Sequence, residues 1–451
     1  MNDLLVPPHP PNTPPSKAQI LLDQVSVDLR QLKDARKQGN NLKYSMHDAA
    51  CSAFSVFYTQ SPSFLSYQRE MTALTGRNNV QSLFGAHDIP TDVQIRNILD
   101  PVDPDEIAPI IRAVGDRLLE EKCLEEYRVL NGTFLVALDD TDTFSSISKI
   151  FCPSCHTSHH KDGTVLHRHI AVTPALVTPG EPRVVGLPPE LVTPQDGHEK
   201  QDCERAAAIR WVEKWGAHYA PWGITLLGDD LYANQPFCEK ILAAGFDFLL
   251  TCKSSSHPTT AEWVEDFARE GAIKPLVLSE TKGKRKPVRH QSTYRFIDSI
   301  PLRDSDDALM ANWLEITVTN EDGKILYHNT WITSHPVTAE TVADLAKAGR
   351  ARWKTLNEHI ATLKIGGYHL EHNFGHGQKN LSNVLACLNL LAYLLHTACK
   401  WIDVRYRTLR FRLGSRVAFF HKFTALLDFF CFENWDHLIG FMFGKLRVDS
   451  G

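Results

Sequence analysis

The sequence predicts a mixed α/β protein whose central sheet is flanked by helical regions. Three observations carry this. Short apolar runs with the length of buried strands lie at Thr133–Leu138, Ile224–Gly228 and Phe246–Cys252. Apolar residues recur at three- and four-residue spacing in Ile20–Leu32 and Asp105–Tyr127, as a helix requires. Two of the apolar runs end in an acid, Asp139 and Asp229.

In chain order, residues 1–17 hold Pro7, Pro8, Pro10, Pro11, Pro14 and Pro15 and predict a disordered or polyproline tail. Residues 18–128 predict a helical N-terminal domain, with Gly85, Pro90 and Pro101 as turn signals. Strands follow at 133–138, around 165–173 and at 183–187. A helix from about Lys200 to Ala217 sets Ala207, Trp211 and Trp215 four apart on one face. A strand at 224–228, a helix at about 235–244 and a strand at Phe246–Cys252 complete the order β-β-β-α-β-α-β. Three strands in a row and a return through helices make a mixed sheet of the ribonuclease H type, over 129–253. Residues 254–337 predict a β-rich insertion. It holds the basic loop Lys282–Gly283–Lys284–Arg285–Lys286 and the strands Trp313–Thr319 and Ile325–Thr333 about the turn Asn320–Glu321–Asp322–Gly323. Residues 338–451 return to helix and end in an aromatic-rich stretch around Phe419–Phe432. The longest apolar stretch, Leu381–Thr397, carries Asn383, Asn389 and His396, so a buried helix is expected rather than a membrane span.

At 451 residues and 43% hydrophobic, the chain has material for two or three domains. Ten Cys fit a reducing compartment. Met1–Asn2–Asp3–Leu4 followed by prolines is not a secretory signal, so a cytoplasmic, nucleoid-associated protein is expected. A net charge of −5 argues against a generic polyanion binder. The charge is uneven: residues 345–451 carry 15 Lys/Arg against 7 Asp/Glu, a net of +8, which leaves −13 for the remainder. A basic C-terminal quarter on an acidic protein points to a localised phosphate-binding face; the alternative is a solvated helix face.

The acids at the strand ends carry the chemistry. A carboxylate there is rigidly held and reachable, and magnesium prefers hard oxygen ligands. Asp139 is followed by Asp140 and Asp142, and Asp229 by Asp230; strand alternation would send Asp140 to the opposite face. Each acid alone also fits a polar turn. Glu358, in the polar helical stretch Arg352–Glu358, is a third carboxylate. Two Asp and a late Glu suit a pair of divalent ions, which activate the attacking oxygen and stabilise the leaving one of a phosphodiester.

Ala137–Leu138–Asp139–Asp140–Thr141, with Phe144–Ser145–Ser146, resembles the first-aspartate segment of the DDE, ribonuclease H-like cut-and-paste insertion-sequence transposases. Gly228–Asp229–Asp230–Leu231–Tyr232 resembles their second. Gly349–Arg350–Ala351–Arg352–Trp353–Lys354, then Glu358, Lys364 and Gly367–Tyr368–His369–Leu370–Glu371–His372–Asn373–Phe374–Gly375–His376–Gly377, looks like their C-terminal signature. Asp196–Gly197 and Lys200–Gln201–Asp202–Cys203–Glu204 are similar to one branch of the group. The resemblance covers about residues 80–440. It implies a nuclease and strand transferase with Mg²⁺ as cofactor (two ions, Mn²⁺ as a substitute). Its partners would be the terminal inverted repeats of an element and the target DNA, joined by a homodimer. Asp139, Asp229 and Glu358 would be the catalytic metal ligands, and Arg352, Lys364, Tyr368 and His372 would contact DNA. The sequence departs from the signature at the third acid. Counting forward from Arg352 reaches Leu356, and counting back from Lys364 reaches Asn357; Glu358 is the nearest carboxylate.

Cys152–Pro153–Ser154–Cys155 is a Cys-x₂-Cys knuckle amid His156, His159, His160, His167 and His169. Tetrahedral zinc needs two further ligands. The resemblance implies His167 and Cys203; without a second such knuckle, reduced thiols remain the alternative.

Two other readings compete. One is a DNA-binding protein derived from an inactive transposase, which Leu356 favours. The other is an aspartate-nucleophile phosphatase opening at Asp140–Thr141–Asp142. For that family Lys253 lies on the wrong side of Asp229–Asp230, and Phe144 stands where Thr or Val is expected.

Overall fold

The structure is a computed structural model. It describes residues 5–448 except 8–13, 38, 40–41, 72, 149, 151, 195–202 and 283–287. Most of the basic loop 282–286, the pair Asp196–Gly197, the segment 200–202 and much of the Pro-rich tail therefore lie outside the described residues.

The described strands, in chain order, are β1 (Arg128–Val129), β2 (Thr133–Ala137), β3 (Asp140–Ser146), β4 (His156–His159), β5 (Val165–Val172), β6 (Ala175–Val177) and β7 (Val185–Gly186). They continue with β8 (Glu190–Val192), β9 (Ile224–Gly228), β10 (Asp247–Thr251), β11 (Lys274–Lys282), β12 (Val288–Pro301), β13 (Met310–Thr319) and β14 (Ile325–Thr333). The larger sheet runs β11-β12-β13-β14-β10-β9-β2-β6-β7, with β1 also on β2. β2, β9 and β10 are mutually parallel neighbours, whereas β6 and β7 are antiparallel additions at the other side of β2. A smaller sheet runs β3-β5-β4, with β8 on β5.

Two expectations change here. The strand expected at 165–173 was the second of three consecutive strands of one mixed sheet, but β5 belongs to the smaller sheet and β6 pairs with β2 instead. The cause is local: Pro174, between the two strands, has no N–H for a ladder, and the chain switches sheets there. The β-rich insertion is a continuation of the main sheet, since β14 pairs antiparallel with β10 at Leu249↔Thr333 and Thr251↔Trp331.

The helices form for reasons visible in the sequence. Ser16 accepts the Gln19 N–H at 3.1 Å and caps Lys17–Leu29. Ser45 and Asp48 form a capping box at the start of Met46–Tyr58. Leu381–Ile402, long and apolar enough by composition to cross a membrane, is 94% buried in its most apolar window. It runs through the core, packed by Met46–Tyr58, Ala108–Glu120 and Val404–Arg412. One apolar core thus joins residues from Ala18 to Met442. The described part of the Pro-rich tail also docks: the Cys431 N–H donates to Leu5 O at 2.9 Å, and the buried His437 ring reaches Pro7 O at 3.1 Å. A tail free of the fold was expected over 1–17; at Leu5–Pro7 the chain is instead held against the C-terminal helices.

Candidate active site

β2 and β9 place the two aspartates. Their parallel register pairs Phe134 with Ile224 and Ala137 with Leu227, and Leu138 N–H donates to Leu227 O at 2.8 Å. Continued by two residues, this register sets Asp139 beside Asp229 at the C-terminal ends of neighbouring strands. The backbone of Asp139 is fixed by Thr173 N–H, which donates to its carbonyl at 2.9 Å.

Strand alternation fails just where the site needs it to. β2 ends at Ala137 and β3 starts anew at Asp140, so Asp140 is not sent to the far face. Carboxylate oxygens of Asp139, Asp140 and Glu204 lie within 4.8 Å of one another. Glu204 comes from the first turn of the helix Glu204–Tyr219. The buried Tyr232, three residues after Asp229, donates to Glu204 Oε1 at 2.6 Å. Asp230 turns away, held by Lys253 Nζ at 3.0 Å and Ser256 Oγ at 2.6 Å.

The electrostatics are those of crowded, half-buried acids. Burial pushes Asp139 up to about 6; the Arg352 guanidinium opposes this, and Asp140 and Asp229 add to it. Burial likewise pushes Glu204 up to about 7, against the Tyr232 hydrogen bond and with help from Asp140, Asp229 and Asp139. Asp140 is raised by burial and relieved by Arg168 and, more weakly, Lys364. Arg352 Nη1 stands 3.2 Å from Asp139 Oδ2, and Lys364 Nζ 2.7 Å from Glu371 Oε1. Hard oxygen donors that repel one another are a donor set suited to a divalent cation such as Mg²⁺ or Mn²⁺.

Glu358 is not in this group. It sits on a π-helical turn, Thr355–Ile360, and lines a cavity of about 140 Å³ with Arg183, Lys400, Arg410 and Arg416. Leu356, one turn beyond Arg352, is 43% exposed. Glu204 is the acid sequence reasoning missed. It follows Lys200–Gln201–Asp202–Cys203, but nothing in its spacing from Asp139 or Asp229 marks it, because tertiary packing alone brings that helix to the strand ends.

The residues expected to grip DNA divide. Arg352 and Lys364 border the acids. His372 is exposed, its ring 4.7 Å from that of Phe374. Tyr368 is a correction: it is 1% exposed and its hydroxyl accepts from Arg416 Nη1 at 2.9 Å and meets His396 Nδ1 at 2.6 Å, so it is a core residue.

The cysteine knuckle gathers different histidines from those expected. Cys152 Sγ lies 3.2 Å from His169 Nε2, and His376 Nδ1 lies 3.3 Å from the same nitrogen. His167 sits on β5 opposite Ser146 and Thr157, and Cys203 is exposed at the N-cap of Glu204–Tyr219; neither joins the cluster.

Compared with known proteins, the chain matches no family model, and no curated protein matches it significantly.

Proposed function

We propose that this protein is a DDE-type transposase that cleaves DNA at the ends of an insertion element and transfers the freed strand. The observation that carries the reading is the position of Asp139 and Asp229 just beyond the last paired residues, Ala137 and Leu227, of adjacent parallel strands, with Arg352 on Asp139. The strand order supports a ribonuclease H-like core: three antiparallel strands, β7-β6-β2, then β9 and β10 parallel to β2.

In this reading the converging carboxylates of Asp139, Asp140 and Glu204, with Asp229 at the neighbouring strand end, would hold divalent ions; a pair of such ions would activate the attacking oxygen and stabilise the leaving one. The protein's own groups do the rest. Arg352 offers a planar, two-pronged contact to a phosphate, and Lys364 a point charge. The basic region 345–451 supplies the general attraction to DNA, which weakens steeply with salt. Water attacks phosphorus at the element end and displaces the 3′-oxygen, which leaves as a 3′-hydroxyl; that hydroxyl then attacks a target phosphorus and displaces its 3′-oxygen, so no protein–DNA bond forms.

A second reading is a transposase-derived protein that binds DNA without cutting it. Leu356, standing one turn from Arg352 where the signature expects an acid, favours it. The two are separated by incubating the full chain with duplexes carrying the inverted repeats that flank its gene, with Mg²⁺ or Mn²⁺. The first reading requires cleavage that Asp139→Asn and Asp229→Asn abolish while binding persists. Cleavage surviving in both variants would overturn the assignment of the acids. A gel shift with intact DNA in either metal supports the second reading.

A further inference from the structure

Cys152, His169 and His376 have no part in the proposed chemistry, yet three distant stretches of chain bring them to one point. Cys152 and Cys155 bracket a tight turn closed by Cys155 N–H donating to Cys152 O at 3.2 Å. His169 lies on β5 and is fully buried. His376 arrives on the loop between Phe374 and the helix Leu381–Ile402, flanked by Gly375 and Gly377 at φ 129° and 68°. Only glycine adopts such angles freely, so the loop is shaped to turn this side chain inward. The His169 and His376 rings are stacked at 5.3 Å with an 11° tilt, and Phe144 closes on His376 edge-on at 4.5 Å.

We propose that Cys152, Cys155, His169 and His376 form a structural zinc site. Ligand bonds of about 2.3 Å to sulfur and about 2.0–2.1 Å to nitrogen, set tetrahedrally, separate donor atoms by about 3.3–3.8 Å. The S···N separation of 3.2 Å and the N···N separation of 3.3 Å lie close to that spacing. The three donor atoms of Cys152, His169 and His376 lie within 4.8 Å of one another; Cys155 sits at the other end of the knuckle turn, its Sγ outside that group and 3.8 Å from His156 O, and would complete the set by rotating its side chain. Two thiolates with two imidazoles select zinc over the hard cations of the acidic site. Four protein ligands leave no open position, so the ion is structural.

Its role follows from what it joins. β5 pairs with β3, and Asp140 opens β3 opposite Val172, three residues beyond His169. His376 follows Glu371, the partner of Lys364. The ion therefore ties the hairpin that carries Asp140 to the loop that follows Lys364. This inference does not depend on the transposase reading, because zinc content is measured without DNA.

The test is metal analysis of the purified full-length protein by plasma mass spectrometry, with cobalt exchange as a second readout. About one zinc per chain is expected, and cobalt should give the strong visible absorption of a tetrahedral thiolate site. Cys152→Ser and His376→Gln should lose at least about nine-tenths of the metal, whereas His167→Gln and Cys203→Ser should retain it. Absence of zinc from the natural chain, or cobalt spectra without thiolate bands, would overturn the proposal even where a variant fails to fold. So would loss of metal in Cys203→Ser with retention in His376→Gln.

Discussion

Arg352 Nη1 lies 3.2 Å from Asp139 Oδ2, across 213 residues of chain, and this contact defines which face of the Arg352–Lys364 segment looks onto the acids. Residue 356 is about one turn further along that face, whereas residue 358 is rotated well away. Restoring an acid at 356 should therefore complete the site. Leu356→Glu is expected to raise Mg²⁺-dependent cleavage of the terminal repeats at least tenfold, about 1.4 kcal/mol of barrier. Glu358→Gln should leave cleavage unchanged. An end-cleavage assay showing the reverse pattern would return the catalytic role to Glu358.

The same ion pair predicts a pH effect. A carboxylate must lose its proton to hold a cation, so divalent binding should weaken as pH falls through about 6, the value to which Asp139 is pushed. Arg352 is the charge that holds Asp139 down. In Arg352→Gln the acid should rise further, and the pH midpoint of Mn²⁺ binding should move upward. Titration calorimetry from acid to neutral pH checks this; a midpoint that stays or falls contradicts it.

Legibility in the sequence followed the range of the interactions. The placement of Asp139 and Asp229 at neighbouring strand ends was legible because each follows an apolar run, and a parallel sheet makes such ends neighbours. The four-residue spacing of Ala207, Trp211 and Trp215 likewise marked the buried face of their helix. Glu204 could not be found this way, since its place depends on how that helix lies across the sheet. The exchange of His167 for His169 turns on two residues within β5, and only the fold distinguishes them. Only the resemblance assigns Tyr368 to DNA; its aromatic side chain fits a packed core as well, and it is held there by His396 and Arg416.

Gly228 precedes Asp229 and is tightly hemmed in. A Cβ there would meet Tyr232 Cδ2 at 2.8 Å and Leu250 Cδ2 at 3.0 Å. Gly228→Ala should cost about 1–3 kcal/mol of stability through overpacking. It should also displace Tyr232 from Glu204 and weaken divalent binding. Urea denaturation and Mn²⁺ titration read the two effects; a variant as stable as the natural chain would show that the pocket relaxes without cost.

His359 is 1% exposed, lies against Gly186 and Tyr393, and among the described residues has no hydrogen-bond partner on either ring nitrogen. Burial lowers it to about 4. Above pH about 6.5 the ring is neutral in both folded and unfolded chains, so stability is complete there. Below that, the unfolded chain gains a proton that the folded one refuses. Stability should fall by about 2 kcal/mol between pH 7 and pH 5, and stop falling from this source near pH 4. His359→Leu should remove that share of the pH dependence in urea titrations; an unchanged slope would rule His359 out as its source.

Ser16 N–H donates to Asp436 at 2.7 Å, and these residues are 420 positions apart. The helix Lys17–Leu29 thus rests on a helix made 420 positions later. At about 5–20 residues per second, a ribosome leaves it without that partner for on the order of 20–80 s. During that interval the face of the helix that docks on Asp436 has no partner to cover it. A late stop codon would yield sticky, protease-sensitive debris in place of a usable fragment.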